Sequence, residues 1–307
     1  MTTETSTVEI AAEREKQQAA LSSVLAAIGL TAFKIVVGIM TGSLGILSEA
    51  AHSGLDLVAA LVTFFAVRVS DKPADEQHRY GHGKVENFSA LIETLLLLVT
   101  CIWIIYEATK RLFFEDVEVD ASIWAFLVMG TSIVIDYSRS RVLMRAARKH
   151  NSQALEADAL HFSTDIWSSS VVIVGLLGVL ISEQVSQLEF LAKTDAVAAL
   201  IVALIVIMVS YQLGRRSISA LLDAAPDGLA ENIERTVEAI PGVLDCHRVR
   251  VRTAGPQTFV DIHVVMDGTL PLEKAHQLTE QIEKAVQQIA SGADVTVHPE
   301  PHEPDKP

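Results

Sequence analysis

Apolar residues fall in six long blocks over the first two-thirds of the chain, at roughly 20–40, 45–68, 88–109, 121–143, 155–182 and 196–213. Each block is long enough to cross a hydrocarbon core, which takes about 20 helical residues. A backbone surrounded by lipid satisfies its own hydrogen bonds only as a helix or a closed barrel. The pattern predicts a six-helix transmembrane bundle over 17–216, preceded by a polar, helix-prone cytoplasmic tail, Met1 to Lys16. That tail has no basic stretch leading into an apolar core, so no cleaved signal peptide is expected.

After Ser217 the texture is that of a soluble domain. Residues 228–240 read as a helix ending at Pro241-Gly242. His247 to Thr253 and Thr258 to Met266 alternate as strands, joined by Ala254-Gly255-Pro256 as a hairpin turn. Pro271 opens a helix reaching about Ile289, and Val295 to His298 forms a short third strand. The order α-β-β-α-β predicts a small α+β, metallochaperone-like domain over 217–300, with 301–307 as a disordered tail.

Charge sets the orientation. Arg139 and Arg141 close block four and Arg145, Arg148 and Lys149 follow it; Arg68, Lys72, Arg79 and Lys84 join blocks two and three; Arg215 and Arg216 follow block six. These basic segments share the cytoplasmic side, which puts both termini inside the cell. The connection after block three is acidic at Glu115, Asp116, Glu118 and Asp120, despite Lys110 and Arg111. With a net charge of −14 the chain is a poor partner for nucleic acid, and acidity combined with ten histidines points to cations. Two cysteines, Cys101 and Cys246, make neither a disulfide framework nor a thiolate zinc finger.

Two motifs inside the apolar blocks carry the chemistry. Block two contains Glu49-Ala-Ala-His52-Ser-Gly-Leu-Asp56, and block five contains Asp158-Ala-Leu-His161-Phe-Ser-Thr-Asp165. Spacing of i, i+4 places each histidine and its aspartate on one helix face. A lone aspartate near the bilayer centre costs about 2.5–3.5 kcal/mol on insertion scales, so four such groups call for a partner. A dication supplies it: two imidazoles and two carboxylates close a tetrahedron that zinc accepts. Imidazole disfavours magnesium and calcium, and the lack of nearby sulfur disfavours copper(I). Blocks two and five run in opposite directions, so His52 is expected level with Asp165 and Asp56 with His161. Glu49 and Asp158 then flank the site as outer and inner staging points.

A second candidate lies in the segment Pro73 to Lys84, where Asp75, His78 and His82 can converge as a three-ligand site. A third group is His247, His263, His298 and Glu300 on the strand ends, with His276 on the second helix of the domain. Lys84 and Asp223 are expected at similar depth. Lys34 and Asp136 stand inside blocks one and four without an assigned partner.

Together these motifs, in order and spacing, resemble the cation diffusion facilitator family of zinc/proton exchangers over nearly the whole chain after the tail. The resemblance implies a transport site at His52, Asp56, His161 and Asp165, and an interfacial site with the Asp75, His78, His82 pattern. It also implies a zinc pair across a homodimer interface at positions matching His247, His263, His276 and His298, with Glu300 in place of an Asp. In that family a contact like Lys84–Asp223 links the two domains across the dimer. His52 stands where some bacterial relatives have Asp, and His there resembles the zinc-preferring pattern.

The resulting expectation is a secondary transporter in the cell membrane, of bacterial inner-membrane type, exporting divalent metal in exchange for protons. Zinc is the expected substrate and structural ion, with no organic cofactor; the partners are metal ions, protons, the lipid bilayer and a second copy of the chain. The rivals are a membrane-tethered metal sensor or scaffold, a passive channel, and export mainly of cadmium, iron, cobalt or manganese. An intramembrane metalloprotease is disfavoured because His-Glu-x-x-His is missing.

Overall fold

The computed structural model describes residues 2–113, 122–184 and 191–302. The acidic connection at Glu115, Asp116, Glu118 and Asp120 and the end of the tail, 303–307, lie outside the described residues. Six long helices come first: α1 (Thr2–Thr41), α2 (Leu44–Ser70), α3 (Lys84–Phe113), α4 (Ile123–His150), α5 (Gln153–Gln184) and α6 (Leu191–Leu221). Ser43 and Ser122 cap α2 and α4 by accepting the backbone N–H of Ile46 and Ala125. The basic cluster after block four continues α4 to His150, where Arg148, Lys149 and His150 meet the negative end of the helix dipole. Left-handed Asn151 then turns the chain directly into α5.

Among the described residues, Ile10–Thr41, Leu44–Ser70, Lys84–Lys110 and Leu200–Leu221 are long and apolar enough by themselves to cross a membrane. α4 and α5, which carry Asp136, Arg139, Asp158, His161 and Asp165, are joined to these by packing. α4 lies along α5 and α1, α1 along α2, and α3 pairs most extensively with α6. Small side chains, Ala19, Ala20, Ala146, Ala147, Ala154 and Ala159, bring α1, α4 and α5 close around Leu143, Leu155 and Phe162.

α1 is docked earlier than the boundary at Lys16 suggested. Lys16 is buried between Asp71, with which it forms a short ion pair, and Glu86, 3.3 Å away. Gln17 donates to Asp71 at 3.2 Å, and Ser70 and Ser152 donate to the two oxygens of Glu86. α1, α2, α3 and the start of α5 are thereby tied at one end of the bundle.

The second domain contains α7 (Leu229–Glu238), β1 (Val243–Ala254), β2 (Gln257–Asp267), α8 (Leu272–Ile289) and β3 (Asp294–His302). The sheet order is β1-β2-β3, with β2 antiparallel to β1 and parallel to β3. Val260, Ile262, Val264 and Met266 alternate onto the helix side of β2, where they pack with Ile233, Val237, Ile282 and Val286. Two expectations are corrected. β1 starts at Val243, with irregular register before Arg250. β3 does not stop at His298, because Pro301 and His302 still pair with Met266 and Asp267. Pro299 and Pro301 are tolerated since β3 is an edge strand, and alternate residues direct their missing donors to the open side.

Candidate metal centre

α2 and α5 are antiparallel, and their polar faces meet. His52 Nε2 is 3.9 Å from Asp165 Oδ1 and 3.9 Å from Asp56 Oδ1. His161 Nε2 is 3.3 Å from Asp56 Oδ1 and 3.6 Å from Asp165 Oδ2. Donor atoms of His52, Asp56 and Asp165 all lie within 4.8 Å of one another. Side-chain exposure grades along the pair, from 36% at Glu49 and His52 through 11% and 13% at Asp56 and Asp165 to 4% at His161. The cluster is therefore open at the Glu49 end and closed beyond His161, where Asp158 is fully buried.

Each flanking acid has its own partner. Glu49 pairs with Lys34 at 3.3 Å, and Lys34 donates to Ser53 at 2.7 Å, so the cation in block one belongs to the open rim. Asp158 accepts from Ser23 at 3.3 Å, while Ser23 accepts from Arg139 at 3.1 Å. Arg139 also pairs with Asp136 at 3.2 Å and lies 3.4 Å above the Phe162 ring. Lys34 and Asp136 thus have separate partners, Glu49 and Ser53 for the first and Arg139 for the second. In sequence Arg139 reads only as part of the basic cytoplasmic cluster, whereas here it is buried, and Glu93 is not singled out. Glu93 is fully buried, and its Oε2 lies 3.8 Å from His161 Nδ1. An acid within an apolar run was the available signal for it, but α3 carries no recognisable motif around it.

In the loop before α3, His78 Nδ1 is 3.3 Å from Asp75 Oδ1 and His82 Nε2 is 3.4 Å from Asp75 Oδ2. All three supply donor atoms within 4.8 Å. The His78 backbone N–H, 2.6 Å from Asp75, holds that carboxyl below the usual carboxylate range. The donor set and its exposure suit a zinc site with an open coordination position.

On the sheet face opposite α7 and α8, register brings three histidines into one row. His247 pairs with His263 across β1 and β2, and His263 with His298 across β2 and β3. Glu300 completes the group: Oε1 is 2.7 Å from His263 Nδ1 and Oε2 is 3.4 Å from His247 Nε2. The His263 ring beside Glu300 lowers the carboxyl below its ordinary value. The imidazole–carboxylate set fits zinc, with His298 Nε2 3.9 Å from Glu300 on the far side. His276 does not join this group within the chain. It is exposed on α8 and lies 3.7 Å from Glu280, one turn along its own helix. Cys246 points into the core rather than to the histidines, and burial pushes its thiol up to about 11.

The two domains meet at the β1–β2 turn. Lys84 contacts Asp223 at 2.9 Å within the chain; both side chains are half-exposed, so the pair contributes little. The firmer joint runs through buried Asn87: the Gly255 backbone N–H donates to its side-chain oxygen at 2.9 Å, and its amide donates to the Gln153 side chain at the start of α5 at 2.8 Å. A Cβ on Gly83 would sit 2.1 Å from the Ala254 carbonyl oxygen. Gly83→Ala is therefore expected to lift the hairpin turn away from α3, giving faster amide exchange at 254–257 while the sheet core stays protected. Unchanged exchange there would show that the contact is dispensable.

A multi-pass helical bundle with an imidazole–carboxylate cluster between two of its helices, carrying a histidine-bearing α+β domain, defines a membrane protein that handles metal cations. Comparison with known proteins places it further. Residues 20–222 match the cation efflux transmembrane domain and residues 225–302 the cation efflux protein cytoplasmic domain. The chain belongs to the cation efflux, or cation diffusion facilitator, family, whose members are transporters and not enzymes. It is 31% identical to the cation-efflux pump FieF of Serratia proteamaculans over 290 residues, covering 93% of this chain and 92% of that one. FieF of Yersinia enterocolitica is 33% identical over 288 residues, with 92% of each chain covered. A solved zinc-form structure of CzrB, titled as a candidate zinc transporter, is 36% identical over 26% of this chain and 91% of its own, with a TM-score of 0.25.

Proposed function

We propose that this cation efflux protein exports zinc in exchange for protons, through a site formed by His52, Asp56, His161 and Asp165. The observation that carries this reading is the meeting of two imidazoles and two carboxylates from antiparallel helices inside the bundle. Metal binding requires these groups deprotonated, so loading with metal releases protons and protonation releases metal. Histidine, with an unperturbed pKa near 6.5, exchanges the two close to neutral pH. Zinc matches the donor chemistry, and the relatives named as cation-efflux pumps support the export direction.

The reading places the protein in the inner membrane of a bacterial cell with both termini cytoplasmic. The Glu49 end of the site then faces outward, and Arg139, Asp158 and Phe162 close the cytoplasmic side. The loop set Asp75, His78, His82 and the sheet set His247, His263, His298, Glu300 hold further zinc. In a homodimer the sheet set faces a second copy, and the matched cytoplasmic family domain supports such pairing. His276, standing apart from its own chain's cluster, is left to contact that partner.

Pure protein in sealed liposomes tests the central claim. An acidic lumen is expected to accelerate zinc uptake as protons leave, with cadmium, iron, cobalt and manganese moving more slowly. Uptake that ignores the gradient would identify a channel, and binding without uptake a sensor. The staging roles give a second prediction: Glu49→Gln and Asp158→Asn each slow initial uptake severalfold while the site still binds zinc. If neither changes the kinetics, these acids are structural.

A further inference from the structure

One face of His161 is accounted for and the other is not. Nε2 faces Asp56 and Asp165, at 3.3 and 3.6 Å. Nδ1, on the opposite edge of the ring, is buried with no hydrogen-bond partner. The nearest acid to it is Glu93 of α3, whose Oε2 stands 3.8 Å away and is itself buried and unpartnered. The other oxygen of Glu93 is held by Thr63 of α2, which donates to Oε1 at 3.1 Å. Two orphaned buried polar atoms of complementary type thus face each other across a gap slightly wider than a hydrogen bond. A buried polar atom left unpaired is costly, so a small shift that closes this gap would relieve both groups at once.

We propose that Glu93 is a positioning residue for the transport site, receiving the Nδ1–H of His161 and holding the ring with Nε2 toward the ion. A histidine that ligates metal through one nitrogen presents a lone pair there and carries its proton on the other nitrogen. An acceptor at the second nitrogen fixes that tautomer and raises the basicity of the first. Thr63 anchors the carboxylate from the same helix that carries His52 and Asp56, so Glu93 connects α3 to both ligand helices. No spacing in the sequence joins Glu93 to His161, since the contact forms only where α3 packs on α5.

This inference rests on His161 being a ligand of the transport site, and the experiment separates the two. Zinc affinity is measured by chelator competition in the full-length protein carrying Asp75→Ala and His263→Ala, which disable the loop and sheet sets. Glu93→Leu is expected to weaken binding by roughly 10–100-fold, the effect typical of removing an outer partner. Glu93→Gln keeps an acceptor and falls between. His161→Asp retains a ligand but has no second nitrogen, so in that background Glu93→Gln costs nothing further. Should Glu93→Leu fail to fold, the Gln and Asp variants still complete the cycle. Wild-type affinity in both Glu93 variants, or an equal loss with and without the histidine, overturns the positioning role. Wild-type affinity in His161→Ala instead overturns the transport-site reading beneath it.

Discussion

Replacing Asp165 by alanine is expected to abolish zinc uptake into proteoliposomes, by at least about 100-fold, without unfolding the protein. Loss of an outer partner alone weakens metal sites by roughly 10–100-fold, and in the proposed site Asp165 would touch the ion itself. Its carboxylate stands between the two histidines, 3.9 Å from His52 and 3.6 Å from His161, so both helices lose their shared acceptor. In the proposed site it would also supply one of the two negative charges that neutralise a dication in a weakly polar setting. Asp165→Asn keeps the shape and loses the charge, and a comparable fall is expected from it. Initial uptake rates, measured beside a thermal unfolding curve, check both variants. Uptake within twofold of wild type would remove α5 from the transport site.

The largest expected effect on stability lies elsewhere, at Lys16. This cation is buried between Asp71 and Glu86, and removing it leaves two buried carboxylates with hydroxyl and amide donors but without Lys16's opposite charge. Breaking a buried ion pair from one side costs about 3–5 kcal/mol. Lys16→Met should therefore lower the unfolding midpoint in detergent substantially and make the start of α1 accessible to protease. Neutralising the partners as well, in a Lys16→Met, Asp71→Asn, Glu86→Gln protein, should recover most of the loss. A single Lys16→Met variant as stable as wild type would mean that the three groups hold no net charge interaction.

The two candidate tetrads differ in how they can be read. His52, Asp56, His161 and Asp165 are visible in sequence because i, i+4 spacing on a helix is local and lipid makes each polar residue conspicuous. The sheet group is only half visible: His263 and His298 lie 35 positions apart, and strand register alone sets them side by side. His276 has the same composition signal but lies on α8, as its helical segment predicts, and stands apart from the strand row. The length of β3 was misjudged because two prolines argue against a strand unless it is an edge. The docking of Lys16 is not legible in sequence, because a polar stretch with no apolar period looks solvated until its partners on α2 and α3 are known.

Amphipathic period, block length and motif spacing are properties of neighbouring residues, so the chain by itself determined the helical bundle, the α-β-β-α-β order and the paired His/Asp faces. Contacts between residues far apart depend on which helix lies against which, and packing decides that. Only the tertiary structure placed Lys34 with Glu49, Arg139 with Asp136 and Ser23, Glu93 behind His161, and the hairpin turn against Gly83. A buried charge must find an opposite or a donor nearby, and which one it finds is a fact of three-dimensional neighbourhood.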